Sequence, residues 1–253
     1  MINENEILTI ANLAGKIALQ SGAETYRVED IITRICKHYG LNAQCFVSIT
    51  CIITSVRNYK GELFCSVERI ATRSTNLNKI HEINQVIRDL NKYSFNEFYN
   101  KIIFLNKEIL YGKFIYFLAY SFGAFSFALL FKGGIKDGIS AFIGGGVIFL
   151  ISDLANKLET NTFFLNTLGG FFCTLLSYLS VQIGFTNTVS YSTIGTIMLL
   201  VPGISFTNAI RDLVAGDLLS GISRAVEALL IGVALAAGTG FALFLILKLG
   251  EFK

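Results

Sequence analysis

Residues 160–210 form a run of 51 residues without a single Asp, Glu, Lys or Arg. A helix needs about 20 mostly apolar residues to cross ~30 Å of hydrocarbon, so this run accommodates two spans joined by a turn. The turn is expected over residues 184–190, where Gly, Thr, Asn and Ser gather. Inside a bilayer no water satisfies the backbone, so such a run must be helical. Three further uncharged segments have the same character: residues 114–131, edged by Lys113 and Lys132; residues 138–152; and residues 228–247. The second of these is short and carries Gly144, Gly145 and Gly146, so it must extend past Asp153, tilt little, or lie buried among other helices. The count is five spans, which puts the two termini on opposite sides of the membrane.

Charge divides the chain at the same place as hydropathy. Charged residues make up 15% of the whole, against the ~25% usual in soluble domains. Lys and Arg number 14 in residues 1–113 and 7 in residues 114–253, Asp and Glu 11 and 7, for net charges of +3 and 0. The fold expected is therefore a membrane α-helical domain over residues 113–253, preceded by a small α+β cytosolic domain over residues 1–112. No basic cluster exists to bind nucleic acid. The acidic start, Met-Ile-Asn-Glu-Asn-Glu, precedes an amphipathic pattern and not an apolar h-region, so no cleavable signal peptide is expected. The short loops do not fix orientation. A folded segment of this size without a signal is hard to translocate, which places it in the cytoplasm of a cell whose inner or plasma membrane holds the spans. Five cysteines, without a CxxC pair, are expected to remain reduced there.

Within residues 1–112, Ile7, Ile10, Ala11, Ala14, Ile17 and Ala18 recur at helical spacing. The pattern breaks at Ser21-Gly22 and resumes with Ile31, Ile32, Ile35 and Cys36, so two helices are expected. Residues 44–57 and 62–70 are rich in β-branched and aromatic residues, with a hairpin turn at Asn58-Tyr59-Lys60-Gly61. Leu77, Ile80, Ile83, Ile87 and Leu90 mark a third helix. Ser94 and Glu97 form a capping box opening a fourth, with Phe98, Ile102, Leu105 and Ile109 on one face.

Two segments carry polar groups in patterns that could support chemistry. Pro202, the only proline, precedes Gly203, and this pair either ends a helix at the membrane surface or breaks one inside it. In transporters, freed carbonyls and helix ends at such breaks bind ions and charged substrates. Asn208, Arg211, Asp212, Asp217, Ser220, Arg224 and Glu227 follow. Ser220, Arg224 and Glu227 share a helix face. If that helix lies in the bilayer, these are intramembrane ionisable groups and candidate substrate or proton-pathway residues. Otherwise they form a solvated loop with an Arg224–Glu227 pair. The other segment is Ser21-Gly22-Ala23-Glu24-Thr25-Tyr26-Arg27-Val28-Glu29-Asp30. A Ser21–Glu24 capping box and a Glu24–Arg27 surface pair explain it plainly. Alternatively, its polar groups dock onto residues 208–217 as a gate. His38 and His81 lack metal-ligand spacing and no P-loop is present, so no metal, cofactor or enzyme activity is expected.

These two segments, with Asn76-Leu77 and the run from Leu200-Val201-Pro202-Gly203 through Arg211-Asp212-Leu213, Gly216-Asp217, Ser220-Gly221, Arg224 and Glu227-Ala228, resemble the threonine/serine exporter family. The resemblance covers nearly the whole chain and implies a cytosolic domain, five spans, and transport of a small amino acid. Full-length exporters of that family fuse two five-span halves, whereas this chain carries one. Similarity to split members implies a second five-span subunit, oligomeric assembly in the lipid membrane, and a dicarboxylate such as succinate as an alternative substrate. The expectation is a proton-coupled secondary exporter. Arg211 or Arg224 would bind the substrate carboxylate, and Asp212, Asp217 or Glu227 would bind the ammonium or relay a proton. Pro202 and Gly203 would shape the broken helix, while Ser21, Glu24, Thr25, Arg27 and Glu29 would form the gating motif. The rival expectation is a membrane sensor or scaffold that moves no solute.

Overall fold

In the computed structural model, which describes residues 3–107, 111–158 and 160–250, the chain divides into two units. The first comprises Met1–Ile109 and Gly203–Val226, the second Leu110–Pro202 and Glu227–Lys253.

The first unit begins with α1 (Glu4–Gln20) and α2 (Thr25–His38), matching the two helical periods. Three antiparallel strands follow: β1 (Asn42–Ser48), β2 (Cys51–Arg57) and β3 (Leu63–Arg69), in spatial order β1-β2-β3. The stretch expected as a single strand over residues 44–57 folds back at residues 49–50 and contributes two strands, paired Ser48 to Cys51 and Phe46 to Ile53. No Gly, Pro, Asn or Asp announces that reversal, which explains why the pattern conceals it. The expected hairpin between β2 and β3 forms around Asn58, whose Oδ1 accepts from the backbone N–H of Lys60 and Glu62, each at 3.0 Å. Helix α3 (Leu77–Arg88) and α4 (Phe95–Asn106) complete the amino-terminal part, the latter opened by the Ser94–Glu97 capping box. Ile109, expected on the face of α4, lies outside the described residues. The core is apolar and large: Ile10, Leu19, Ile32, Ile35, Ile52, Ile83, Phe98 and Ile102 are fully buried. Each such side chain contributes about 1.5–3 kcal/mol relative to exposure in water. To this unit the chain adds α9 (Gly203–Ala215) and the first turns of α10 (Leu218–Gly250).

The second unit contains α5 (Lys113–Leu130), α6 (Ile135–Lys157), α7 (Thr162–Gln182), α8 (Ser190–Ile197) and the remainder of α10. Among the described residues four helices are long and apolar enough to cross a membrane: α5, α6, α7 and α10. The second half of the uncharged run, expected as one continuous span, is divided instead. Helix α8 has 8 residues, and Pro202, which cannot donate to a preceding turn, separates it from α9. The short segment with Gly144, Gly145 and Gly146 extends past Asp153 and buries all three glycines. Asp153 is held there by Lys113 at 2.7 Å and Lys157 at 3.0 Å. Close helix approach requires these glycines. A Cβ on Gly145 would lie 2.5 Å from the Tyr120 carbonyl oxygen, and one on Gly195 2.7 Å from Ala128 Cβ. On α10, a Cβ on Gly238 would collide with the Thr167 carbonyl of α7. Such small-residue contacts are how helices pack where lipid offers no hydrophobic drive between them.

Candidate functional site

The two polar segments singled out in the sequence meet inside the first unit. Helix α1 ends at Gln20, and Gly22 turns the chain with φ +92° before α2 starts at Thr25. The Ser21–Glu24 capping box does not form. Ser21 is the C-cap of α1, and Glu24 is the N-cap of α2 without a side-chain cap bond. The Glu24 carboxylate is engaged instead by Arg27 of α2 and Arg211 of α9.

On α9, Asn208, Arg211 and Asp212 are three and four residues apart and so share a face. Gly216, with φ +96°, reverses the chain toward α10, and Asp217 just before that helix falls on one side with Ser220 and Arg224 at the same spacing. A Cβ on Gly221 would lie 2.6 Å from Leu213 Cγ, so α9 and α10 touch closely at that turn. The resulting hairpin presents both faces to the α1–α2 junction. Asn208 Nδ2 donates to the Gly22 carbonyl at 2.8 Å. Arg224 Nη2 donates to the Ala23 carbonyl at 2.8 Å. Asp212 Oδ1 accepts the Thr25 backbone N–H at 3.1 Å and the Thr25 hydroxyl at 3.0 Å. Asp212 therefore caps α2 from a different helix, and the positive end of the α2 dipole favours its charge.

Asp212 is 0% exposed and Arg224 6%. They are paired, Arg224 Nε to Asp212 Oδ2 at 3.0 Å. Burial pushes the Asp212 carboxyl above its ordinary range, while Arg224 and the Thr25 hydrogen bonds pull it back. Asp217 Oδ2 lies 3.0 Å from the Thr25 hydroxyl. Nearby, Glu29 Oε1 accepts the Val47 N–H at 3.0 Å and Ser220 Oγ donates to the Val47 carbonyl at 3.3 Å, so one residue of β1 fixes both. Burial also raises the Glu29 carboxyl, and Asp217 adds to the effect.

Beside this buried cluster is an open cleft of ≈ 280 Å³. Glu24 sits in its lining with its two oxygens divided between two guanidiniums: Arg211 Nη1 at 2.7 Å from Oε1 and Arg27 Nε at 3.1 Å from Oε2. The arginines remain half exposed and Glu24 is buried. Asn208, Thr207 and Gly203 add polar and open surface, and Leu77, Ile80 and Ile204 an apolar wall. The cleft thus already clamps a carboxylate, the protein's own, between two arginine forks.

A profile described as "Putative threonine/serine exporter", ThrE, matches residues 9–246. The chain belongs to the threonine/serine exporter family. Two curated relatives share the name "Probable succinate transporter subunit YjjP". The chain is similar to the one from Klebsiella aerogenes, at 23% identity over 89% of this chain and 88% of the relative. It is also similar to the one from Escherichia coli, at 22% identity over 90% of each. No solved structure gives a significant match. This membership, with the four apolar helices, makes the chain a membrane protein of a transport family.

Of the residues singled out from the sequence, Asn208, Arg211, Asp212, Asp217, Ser220, Arg224, Glu24, Thr25, Arg27 and Glu29 come together in the first unit. Ser21 serves there through its backbone, its carbonyl accepting the Asn76 N–H at 2.9 Å. Gly203 lines the cleft, Pro202 ends the second unit, and Glu227 belongs to the second unit. Sequence reasoning missed the Gly22 and Ala23 carbonyls and the backbone of Val47. Backbone acceptors carry no side-chain signature, so nothing in the residue types could have pointed to them. Among the described residues, no group of three or more His, Cys, Asp or Glu could hold a metal ion.

Proposed function

We propose that the chain is one subunit of a proton-coupled secondary exporter that moves a small carboxylate-bearing metabolite out of the cell, with the first unit in the cytoplasm. The observation that carries this reading is the two-arginine clamp on Glu24 at the cleft. A solute carboxylate entering the cleft would compete with Glu24 for Arg27 and Arg211. Arg224 is a poorer candidate for that task, because Asp212 and the Ala23 carbonyl already engage its guanidinium. The cleft then acts as a loading site, and the docking of α9 and α10 on α2 as the gate.

Chain connectivity supports five crossings. The first unit holds both residues 1–109 and residues 203–226. A chain that leaves one side of a membrane and returns to it crosses an even number of times. Helices α5, α6 and α7 make three crossings, so α8 counts as the fourth and α10 as the fifth. Eight helical residues span only about 12 Å, and irregular backbone at membrane depth survives where protein or a wet cavity surrounds it. Ser192, Thr193 and Thr196 of α8 are buried, as is Ser121 of α5. The hydroxyls of Thr193 and Ser121 have no hydrogen-bond partner among the described residues. Those groups support a solute path beside α8.

A dicarboxylate of the succinate class is favoured by the relatives' name and by the presence of two guanidiniums for two carboxylates. Threonine or serine is favoured by the family description and by Glu24, which could take the ammonium. The word "subunit" in the relatives' name supports a second membrane component. Efflux of labelled succinate, threonine and serine from loaded cells, with this chain and a candidate partner, tests the reading. Arg211→Ala is expected to reduce efflux of the true solute at least about 10-fold, the loss of one charge-assisted contact, with the protein still in the membrane. Unchanged efflux in that variant removes the cleft from the path. Absence of flux for every solute, with both proteins in the membrane, shifts weight to a sensor or scaffold.

A further inference from the structure

The Thr25 hydroxyl lies 3.0 Å from Asp212 Oδ1 and 3.0 Å from Asp217 Oδ2. A hydroxyl carries one hydrogen and two acceptor lone pairs. If both carboxylates are ionised, only one of these contacts is a hydrogen bond. The other sets two oxygen lone pairs against each other at bonding distance, in a site where Thr25 and Asp212 are both 0% exposed. One added proton removes the conflict, because a protonated carboxyl donates to the hydroxyl oxygen while the hydroxyl donates to the second carboxylate.

Charge around the bridge favours the same proton. The start of α2 contributes Glu24, Arg27 and Glu29, α9 contributes Arg211 and Asp212, and the turn into α10 with its first turns contributes Asp217 and Arg224, while β1 faces the site with the uncharged Val47 backbone and Cys45. Among the described contacts these are four carboxylates and three guanidiniums. The remaining acid of this part of α2, Asp30, is neutralised by Arg34 at 2.7 Å. Asp212 is fully buried and Asp217 partly buried, and excess negative charge beside a buried carboxylate favours uptake of a proton.

We propose that Asp212 and Asp217 hold one proton between them through the Thr25 hydroxyl, making this bridge a proton-binding site. The proton belongs to the pair and not to either oxygen alone. It bonds the α9–α10 hairpin to the first residue of α2. Sequential protonation and release would therefore make and break the bridge. The sign follows from linkage: the docked pair binds a proton that the separated residues release, so docking is strongest at acidic pH and weakens as rising pH removes that proton. Use of this proton in coupling rests on the exporter reading; the proton site itself rests on geometry and charge.

Infrared titration of the purified full chain reads the proton directly, through the carbonyl stretch of a protonated carboxyl. Wild type is expected to show one such band at neutral pH that disappears on alkalinisation. Asp217→Asn, which keeps the buried Asp212–Arg224 pair, is expected to lose it. Thr25→Val, which removes the bridging hydroxyl and keeps the N–H cap, is expected to shift its loss to lower pH by about one unit, a ~10-fold drop in proton affinity, and Thr25→Ser to restore it. Folded wild type without the band at neutral pH overturns the proposal, as does a band that persists unchanged in Asp217→Asn or is unmoved in Thr25→Val. A band that behaves as expected, together with no solute flux, keeps the proton site and removes the exporter reading. Flux without the band does the reverse.

Discussion

The first unit hides Ile10, Leu19, Ile32 and Phe98, whereas the second hides Ser121, Ala124, Gly145 and Thr196 and turns Phe122, Leu130, Ile143 and Leu230 outward. The same large apolar residue types are sorted in opposite directions, the pattern that water around one unit and lipid around the other would produce. Water drives aliphatic side chains inward and rewards their burial by area. Lipid gives no such reward, so close backbone approach between small residues, with hydroxyls turned inward, holds the second unit together. The charged groups follow the same division. The buried Arg224–Asp212 pair lies in the first unit, while the ionised groups Lys113, Asp153 and Lys157 sit at the ends of helices in the second.

That contrast is breakable by substitution, and thermal unfolding of the purified chain in detergent measures each break. Phe98→Ala should have the largest effect, about 3–5 kcal/mol, because it empties a fully enclosed site. Asp212→Ala should approach it, at about 3–5 kcal/mol, since it strands Arg224 in the interior and uncaps α2. A loss below about 1 kcal/mol would mean that the α9–α10 hairpin contributes little to the first unit. Gly145→Ala should cost about 1–3 kcal/mol by forcing α5 and α6 apart. Tolerance of that change would sink the claim that backbone proximity holds the second unit. Phe122→Ala, on a 58% exposed side chain, should change stability by less than about 0.5 kcal/mol. A large loss there would indicate that Phe122 faces protein in the assembled state.

Much of this arrangement was legible in the residues. Helices α1, α2, α3 and α4 follow their apolar periods, and Ser94 with Glu97 marks the α4 start. The charge-free run and the apolar segments locate α5, α6, α7 and α10, because hydrophobic length is a direct physical requirement of a bilayer. The division of residues 44–57 was not legible, since the reversal at Ile49-Thr50 carries no Gly, Pro, Asn or Asp and only the Ser48 hydroxyl, which accepts the Thr50 N–H at 3.3 Å, marks it. Nor was α8 legible as a short helix, because composition reports hydropathy and not continuity. For the site, the polar types at 21–29 and 208–224 were visible, along with the docking of one segment on the other as an option. Which partner each side chain takes was not. Arg224 bonds Asp212, a pairing that depends on the Gly216 turn bringing α9 against α10.

The cap on α2 comes from 187 residues further along the chain. A ribosome delivers Thr25 long before Asp212, and domains ordinarily fold as units while synthesis proceeds. Here the amino-terminal unit must wait: α5, α6, α7 and α8 are made before the carboxylate that completes the first turn of α2 exists. The cleft and the Thr25 bridge are therefore assembled last, and a polypeptide truncated before residue 211 lacks the groups for both the clamp and the bridge. Completion of the site is in this way a report that the preceding membrane helices have been synthesised.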